Sequence, residues 1–176
     1  MAETDKTSFV SHRLAAVLEG CKGVDGKLGD YLVDSDERPD LVPELFEMLN
    51  SADDLVELAS PSKTSGEYHG LPKSATTTEF SRIVFTHTEN PDWDFAAWYG
   101  EKVSELKFHV KLFIGYWGMD HRRLETRSPS PEVSREYIRR GLQSSLSAVR
   151  RYAEVVFDEV VNGRLEIREI RAGESL

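Results

Sequence analysis

The sequence predicts a mainly α protein. It reads as a helical bundle built on two long antiparallel helices, at about 91–119 and 131–161, with a small β ribbon open to 82–88 and 164–170. Three observations carry that prediction. Ala96, Tyr99, Val103, Leu106, Val110, Phe113 and Trp117 recur at alternating spacings of three and four, which makes one continuous helical seam. Val133, Tyr137, Ile138, Leu142, Leu146, Val149, Tyr152, Val156 and Val160 form a second inner face of helical period. Both spans open alike, in Asn90-Pro91-Asp92 and Ser130-Pro131-Glu132. Each start supplies a capping side chain, a ring with φ preset for the first turn, and an acid beside the positive helix end. A short connection between two such helices makes them antiparallel neighbours.

From the N-terminus, Asp5–Cys21 reads as a helix whose stripe is Phe9, Val10, Leu14, Val17, Leu18 and Cys21. Gly20 and Gly23 are expected to end it. Residues 22–39 are rich in Asp, Gly and Lys, and Tyr31-Leu32-Val33 fits a helical turn or a brief strand equally. Asp40–Ala59 reads as two helical pieces, capped by Asp40 and Ser51, with Leu41, Leu45, Phe46 and Leu49 facing inward in the first. Pro43 is tolerated because it lies in the first turn.

Ser60–Thr78 is a loop rich in Pro, Gly and Ser. It is the expected internal boundary: an acidic helical lobe at 1–60, a linker at 61–78, and the long-helix bundle at 79–176, which can also close with the lobe into one domain. Glu79–Thr88 carries two signals. The spacing of Phe80, Ile83, Val84 and His87 favours a helix, and the β-branched run favours a strand pairing with Leu165–Ile170; the reading leans to helix. Gly115 and Gly118 are expected to kink or end the first long helix, each costing about 1 kcal/mol against alanine. Asn162-Gly163 stops the second.

Composition bounds the function. The chain has 176 residues, 39% hydrophobic and 30% charged, enough to bury a core. Its single cysteine, Cys21, can form neither an internal disulfide nor a cysteine zinc site. The acidic start lacks an apolar signal core, and the run Leu112–Met119 is far short of a membrane span. The expectation is a soluble, cytoplasmic protein with no membrane partner. Net charge is −9, all of it in residues 1–80, whereas 121–151 holds eight arginines against three glutamates. That asymmetry fits helix faces that neutralise one another, or a basic contact surface beside an acidic lobe.

Four constellations are candidates for function. Arg82 and His87 resemble in spacing the Arg-x4-His motif of HEPN-type ribonucleases, which are helical-bundle dimers cleaving RNA without metal. That resemblance implies a catalytic pair in which the cation stabilises a phosphorane and the imidazole moves a proton. The same residues also fit a surface arginine and a partly buried histidine. Glu101, Glu105 and His109 line up along one helix, but without a matching set on its neighbour they read as a Glu105–His109 pair and not as a metal site. Arg122, Arg123, Arg127, Arg139 and Arg140 suit phosphates of a nucleic acid or an acidic protein partner. Trp98, Leu112 and Tyr116 lie off the main seam, with Phe95 and Met119, and a helix apolar on two sides meets two neighbours or an oligomer partner.

The chain lacks a phosphate-binding glycine loop, Gly-x-Ser-x-Gly, His-Glu-x-x-His and paired cysteines. The reading that follows is a non-enzymatic interaction or regulatory module without cofactor or metal, acting through helix faces as an oligomer or complex subunit. HEPN-like RNA cleavage and nucleic-acid contact are the alternatives.

Overall fold

A computed structural model describes residues 3–33, 38–59, 81–123 and 131–171. The order is β1 (Glu3–Asp5), α1 (Thr7–Val33), α2 (Val42–Leu58), β2 (Ser81–His87), α3 (Phe95–Arg123), α4 (Pro131–Val161) and β3 (Leu165–Arg171). The protein is mainly helical. α1 packs on α2 and α4, and α3 packs on α2 and α4, so the helices close an up-down-up-down bundle. Among the described residues no helix is long and apolar enough to cross a membrane.

The two long helices form where the periodicity places them, and Tyr99, Val103, Leu106, Val110, Phe113 and Trp117 of α3 are buried. They meet Ile138, Leu142, Leu146, Val149, Val156 and Val160 of α4 in a core that also takes in α1 and α2. Gly163, at φ 72°, ends α4 in the left-handed conformation that glycine adopts freely.

Several expectations fail in instructive ways. Asn90 and Trp93 form a turn, and Asp94 caps α3 by accepting from the Ala97 amide at 3.2 Å. Phe95, not Ala96, begins the buried seam. Neither Gly115 nor Gly118 interrupts α3, which continues to Arg123. Tyr137 sits on the outer side of α4 at 58% exposure.

α1 runs through Gly20 and Gly23 and absorbs Tyr31-Leu32-Val33 as its last turn. The reason is packing. Val24 and Leu28 continue the buried stripe, and a side chain at position 20 would collide with Met48 of α2. Gly20 is therefore a point of close approach between two helices and not a stop. α2 is one helix, in which Ser51 is buried at mid-length and Phe46 points outward at 66% exposure. Asp40 still helps the start, accepting from the Val42 amide at 3.0 Å.

The lean to helix over 79–88 fails for its described part, where Ser81–His87 form a strand. β2 pairs antiparallel with β3, from Ser81 opposite Arg171 to His87 opposite Leu165. β1 adds a third strand on the far side of β3, with Thr4 opposite Glu169, which the sequence did not announce. The sheet gathers where the chain enters α1 and α3 and leaves α4. Its inner face carries Ile83, His87, Leu165 and Ile167, all buried. The expected linker at 61–78 lies outside the described residues.

The charge asymmetry resolves partly into pairs between helices. Arg13 meets Asp54 at 2.7 Å, Lys107 meets Asp53 at 2.8 Å, and Arg150 meets Asp25 at 3.6 Å. Arg13 thus ties α1 to α2, while Lys107 of α3 and Arg150 of α4 face acids of α2 and α1 across the bundle, each contact half-exposed and modest in strength.

Candidate functional site

Two regions hold the residues that the sequence singled out. The first is the sheet end of the bundle. On β2, Arg82 and His87 are five positions apart, an odd offset, and strand side chains alternate between faces. Arg82 therefore stands exposed on the outer face and His87 buried on the inner one. The strand does not bring the pair together.

His87 is tied on both nitrogens. Nδ1 accepts the backbone amides of Glu89 at 3.3 Å and Asn90 at 3.1 Å. The ring hydrogen therefore sits on Nε2, which donates to Glu159 of α4 at 3.1 Å. Arg164 grips the same carboxylate through Nε at 3.0 Å and Nη2 at 3.2 Å, and reaches Asp158 at 2.9 Å. Arg164 first, and His87 after it, hold the Glu159 carboxyl below its ordinary range. Phe95 and Trp93 cover the imidazole, with ring centres 4.9 and 5.8 Å away. The arrangement clasps the turn before α3 to the end of α4. Trp98 joins this cluster, 4.5 Å from Phe95, so its ring is half-buried within the chain itself.

The second region is the outer face where α3 and α4 lie side by side. Phe108 is 56% exposed, Leu112 36%, Tyr137 58% and Val155 39%. Tyr137 and Val155 are five helical turns apart and share one azimuth on α4. Phe108 and Leu112 are one turn apart on the side of α3 opposite its buried seam. Between Tyr137 and Val155, α4 exposes Ser144, whereas Ala148 is buried and Gly141 lies under the Tyr116 ring.

Two contacts fix the helix register. His109 stacks on Tyr152 at 5.7 Å and 13°, and the Tyr116 ring lies so close over Gly141 that a Cβ there would meet it at 2.5 Å. Tyr116 also meets Tyr137 edge-on at 6.0 Å, and their hydrogen bond raises the Tyr116 hydroxyl above its ordinary value. Of the expected interface residues, then, Leu112 opens to solvent, while Trp98 and Tyr116 are half-buried against their own chain. Phe108 and Val155 were missed. Their signal was available: Phe108 stands one turn before Leu112 and half a turn away from Leu106 and Val110.

Glu105 lies 3.6 Å from His109 as a pair along α3. Among the described residues no group of three or more His, Cys, Asp or Glu is placed to hold a metal ion. Of the arginines, Arg140 pairs with Glu136 at 3.1 Å and Arg139 is half-buried. The side chains of Arg122 and Arg123, and the whole of Arg127, lie outside the described residues.

No protein-family model, no curated protein and no solved structure matches the chain.

Proposed function

We propose that the protein is an interaction module that assembles through the outer face of α3 and α4. One observation carries this reading: four large apolar side chains, Phe108, Leu112, Tyr137 and Val155, stand open on a single two-helix surface. Isolated exposed apolar residues are ordinary, but a contiguous set on one face marks a contact surface. Aromatic residues there add contact area at small entropic cost. The clasped histidine supports the reading from the other side, because a buried imidazole bonded on both nitrogens serves the fold's own architecture.

Site-directed photo-crosslinking tests this. A crosslinking amino acid placed at 112, and one placed at the exposed position of Lys22 on α1, are compared in the native host. A discrete adduct formed from 112 and absent from 22 is expected. No adduct from 112, or the same adducts from both, would overturn the reading.

A further inference from the structure

We propose that His87 is an acid-operated latch: a second proton on its ring releases the turn 88–94 and uncovers the aromatic pair Phe95–Trp98. The proposal concerns the sheet end of the bundle and does not depend on the α3/α4 reading.

The latch follows from where the ring hydrogen sits. Nδ1 uses its lone pair to accept the amides of Glu89 and Asn90, and Nε2 carries the one hydrogen of a neutral ring toward Glu159. A second proton has only Nδ1 to occupy. There it would face two N–H donors, and both bonds are lost. Both nitrogens of an imidazolium donate, so turning the ring over does not restore the acceptor.

Those two bonds fasten the turn. Residues 88–94 are exposed, and among the described residues no other hydrogen bond or ion pair ties 89–92 to anything outside the turn. Thr88 is held at its base, donating its amide to the Arg164 carbonyl at 2.7 Å. At its far end Trp93 packs edge-on over Phe95, ring centres 5.1 Å apart, and lies 6.4 Å from Trp98. Phe95 beneath it is 1% exposed. When the turn leaves, Trp93 leaves with it, and the Phe95–Trp98 stack meets water.

The charged groups around the ring make the latch respond to acid. Glu159 on α4, 3.1 Å from Nε2, draws the proton in. Arg164 holds the same carboxylate at 3.0 Å and opposes it. In the turn, Glu89 and Asp92 stand exposed and Asp94 accepts from the Ala97 amide, while Asp158 is paired with Arg164. Arg82 points from the other face of β2, β3 sets the apolar Leu165 opposite, and α3 supplies Phe95. Protonation therefore exchanges two amide bonds for an ion pair with Glu159. That pair survives opening, because β2 and α4 both lie outside the turn. A free imidazole takes its proton at about pH 6.5. The open form binds one proton that the closed form refuses. The closed turn is thus favoured above that range, and opening gains about tenfold for each pH unit below it.

The test is amide exchange with solvent, followed by NMR on the full chain and normalised to the intrinsic rate at each pH. Protection of the Glu89 and Asn90 amides should fall at least tenfold between about pH 7.5 and 5.5, while that of Val149, in the middle of α4, holds. Tryptophan emission should move to longer wavelength in step. His87→Asn offers a side-chain oxygen to the same amides and takes up no proton, so its protection should ignore pH. Glu159→Gln removes the counter-charge and should move the fall to lower pH. The ¹⁵N shifts of the wild-type ring should show Nδ1 gaining its hydrogen over the same range, which tests the latch even where a variant fails to fold.

Protection at 89 and 90 that ignores pH in the wild type would overturn the proposal. So would a fall shared by Val149, a fall retained in His87→Asn or unmoved in Glu159→Gln, or an Nδ1 that takes its proton with both amides still protected. An unchanged emission would show the aromatic pair still covered and would equally refute it.

Discussion

Gly20 offers the sharpest test of the bundle's construction. In an open helix, alanine is favoured over glycine by about 1 kcal/mol. Gly26, on the same helix, is exposed with nothing near its missing Cβ, so Gly26→Ala should stabilise the protein by about 0.4–1 kcal/mol. Position 20 gains the same helix preference and meets a second effect. Its Cβ would collide with Met48 Cγ and lie 2.9 Å from Met48 Sδ, and Met48 has no exposed surface into which to retreat. Either Met48 leaves its rotamer or α2 moves outward. Overpacking of this kind costs about 1–3 kcal/mol. The two substitutions should therefore differ by about 1–3 kcal/mol, or roughly 2–12 °C in Tm for a chain of this size. Thermal and urea unfolding measure both. A double-mutant cycle isolates the contact: in a Met48→Ala background, Gly20→Ala should turn neutral or stabilising. If Gly20→Ala matched Gly26→Ala in the wild-type background, the close approach of α1 to α2 would be refuted.

Three further outcomes are expected. His87→Ala should destabilise the protein by about 2–4 kcal/mol, since it removes a buried ring and leaves the amides of Glu89 and Asn90 without their acceptor; chemical denaturation measures this, and a loss under 1 kcal/mol would contradict the clasp. Glu159 is an acid whose carboxyl is held below its ordinary 4.5, so its contribution is complete above that value and fades as pH falls through the depressed one. Glu159→Gln should accordingly flatten the fall of Tm below about pH 4.5, and an unchanged slope would show that the Arg164 grip stabilises nothing. Burial pushes the Cys21 thiol up to about 12, so an aromatic disulfide reagent at pH 8 should label it only as fast as the protein opens, against immediate labelling in denaturant.

The apolar period of α3 and α4 was legible because it is a local property. Residues three and four apart must share a face of a helix, and Tyr99 through Trp117 admit no other regular structure that buries them together. The Gly163 stop was legible for the same reason, since one residue's conformational freedom decides it. Where α1 ends was not legible. Each glycine opposes the helix locally, and the opposing gain lies in Val24, Leu28 and the contact with Met48, which no window along the chain contains. The lean to helix over 81–87 failed for a similar reason: the hydrogen bonds that make it a strand come from β3, more than seventy residues away.

Of the candidate residues, the sequence by itself located Leu112 on a second apolar side of α3, because azimuth follows from numbering. Only the tertiary structure decided that Trp98 and Tyr116 turn back against their own chain, that Phe108 and Val155 stand open beside Leu112, and that His87 is locked to Glu159 while Arg82 faces the other way. Exposure and hydrogen bonding depend on which element lies alongside, and that depends on the balance of all the contacts at once.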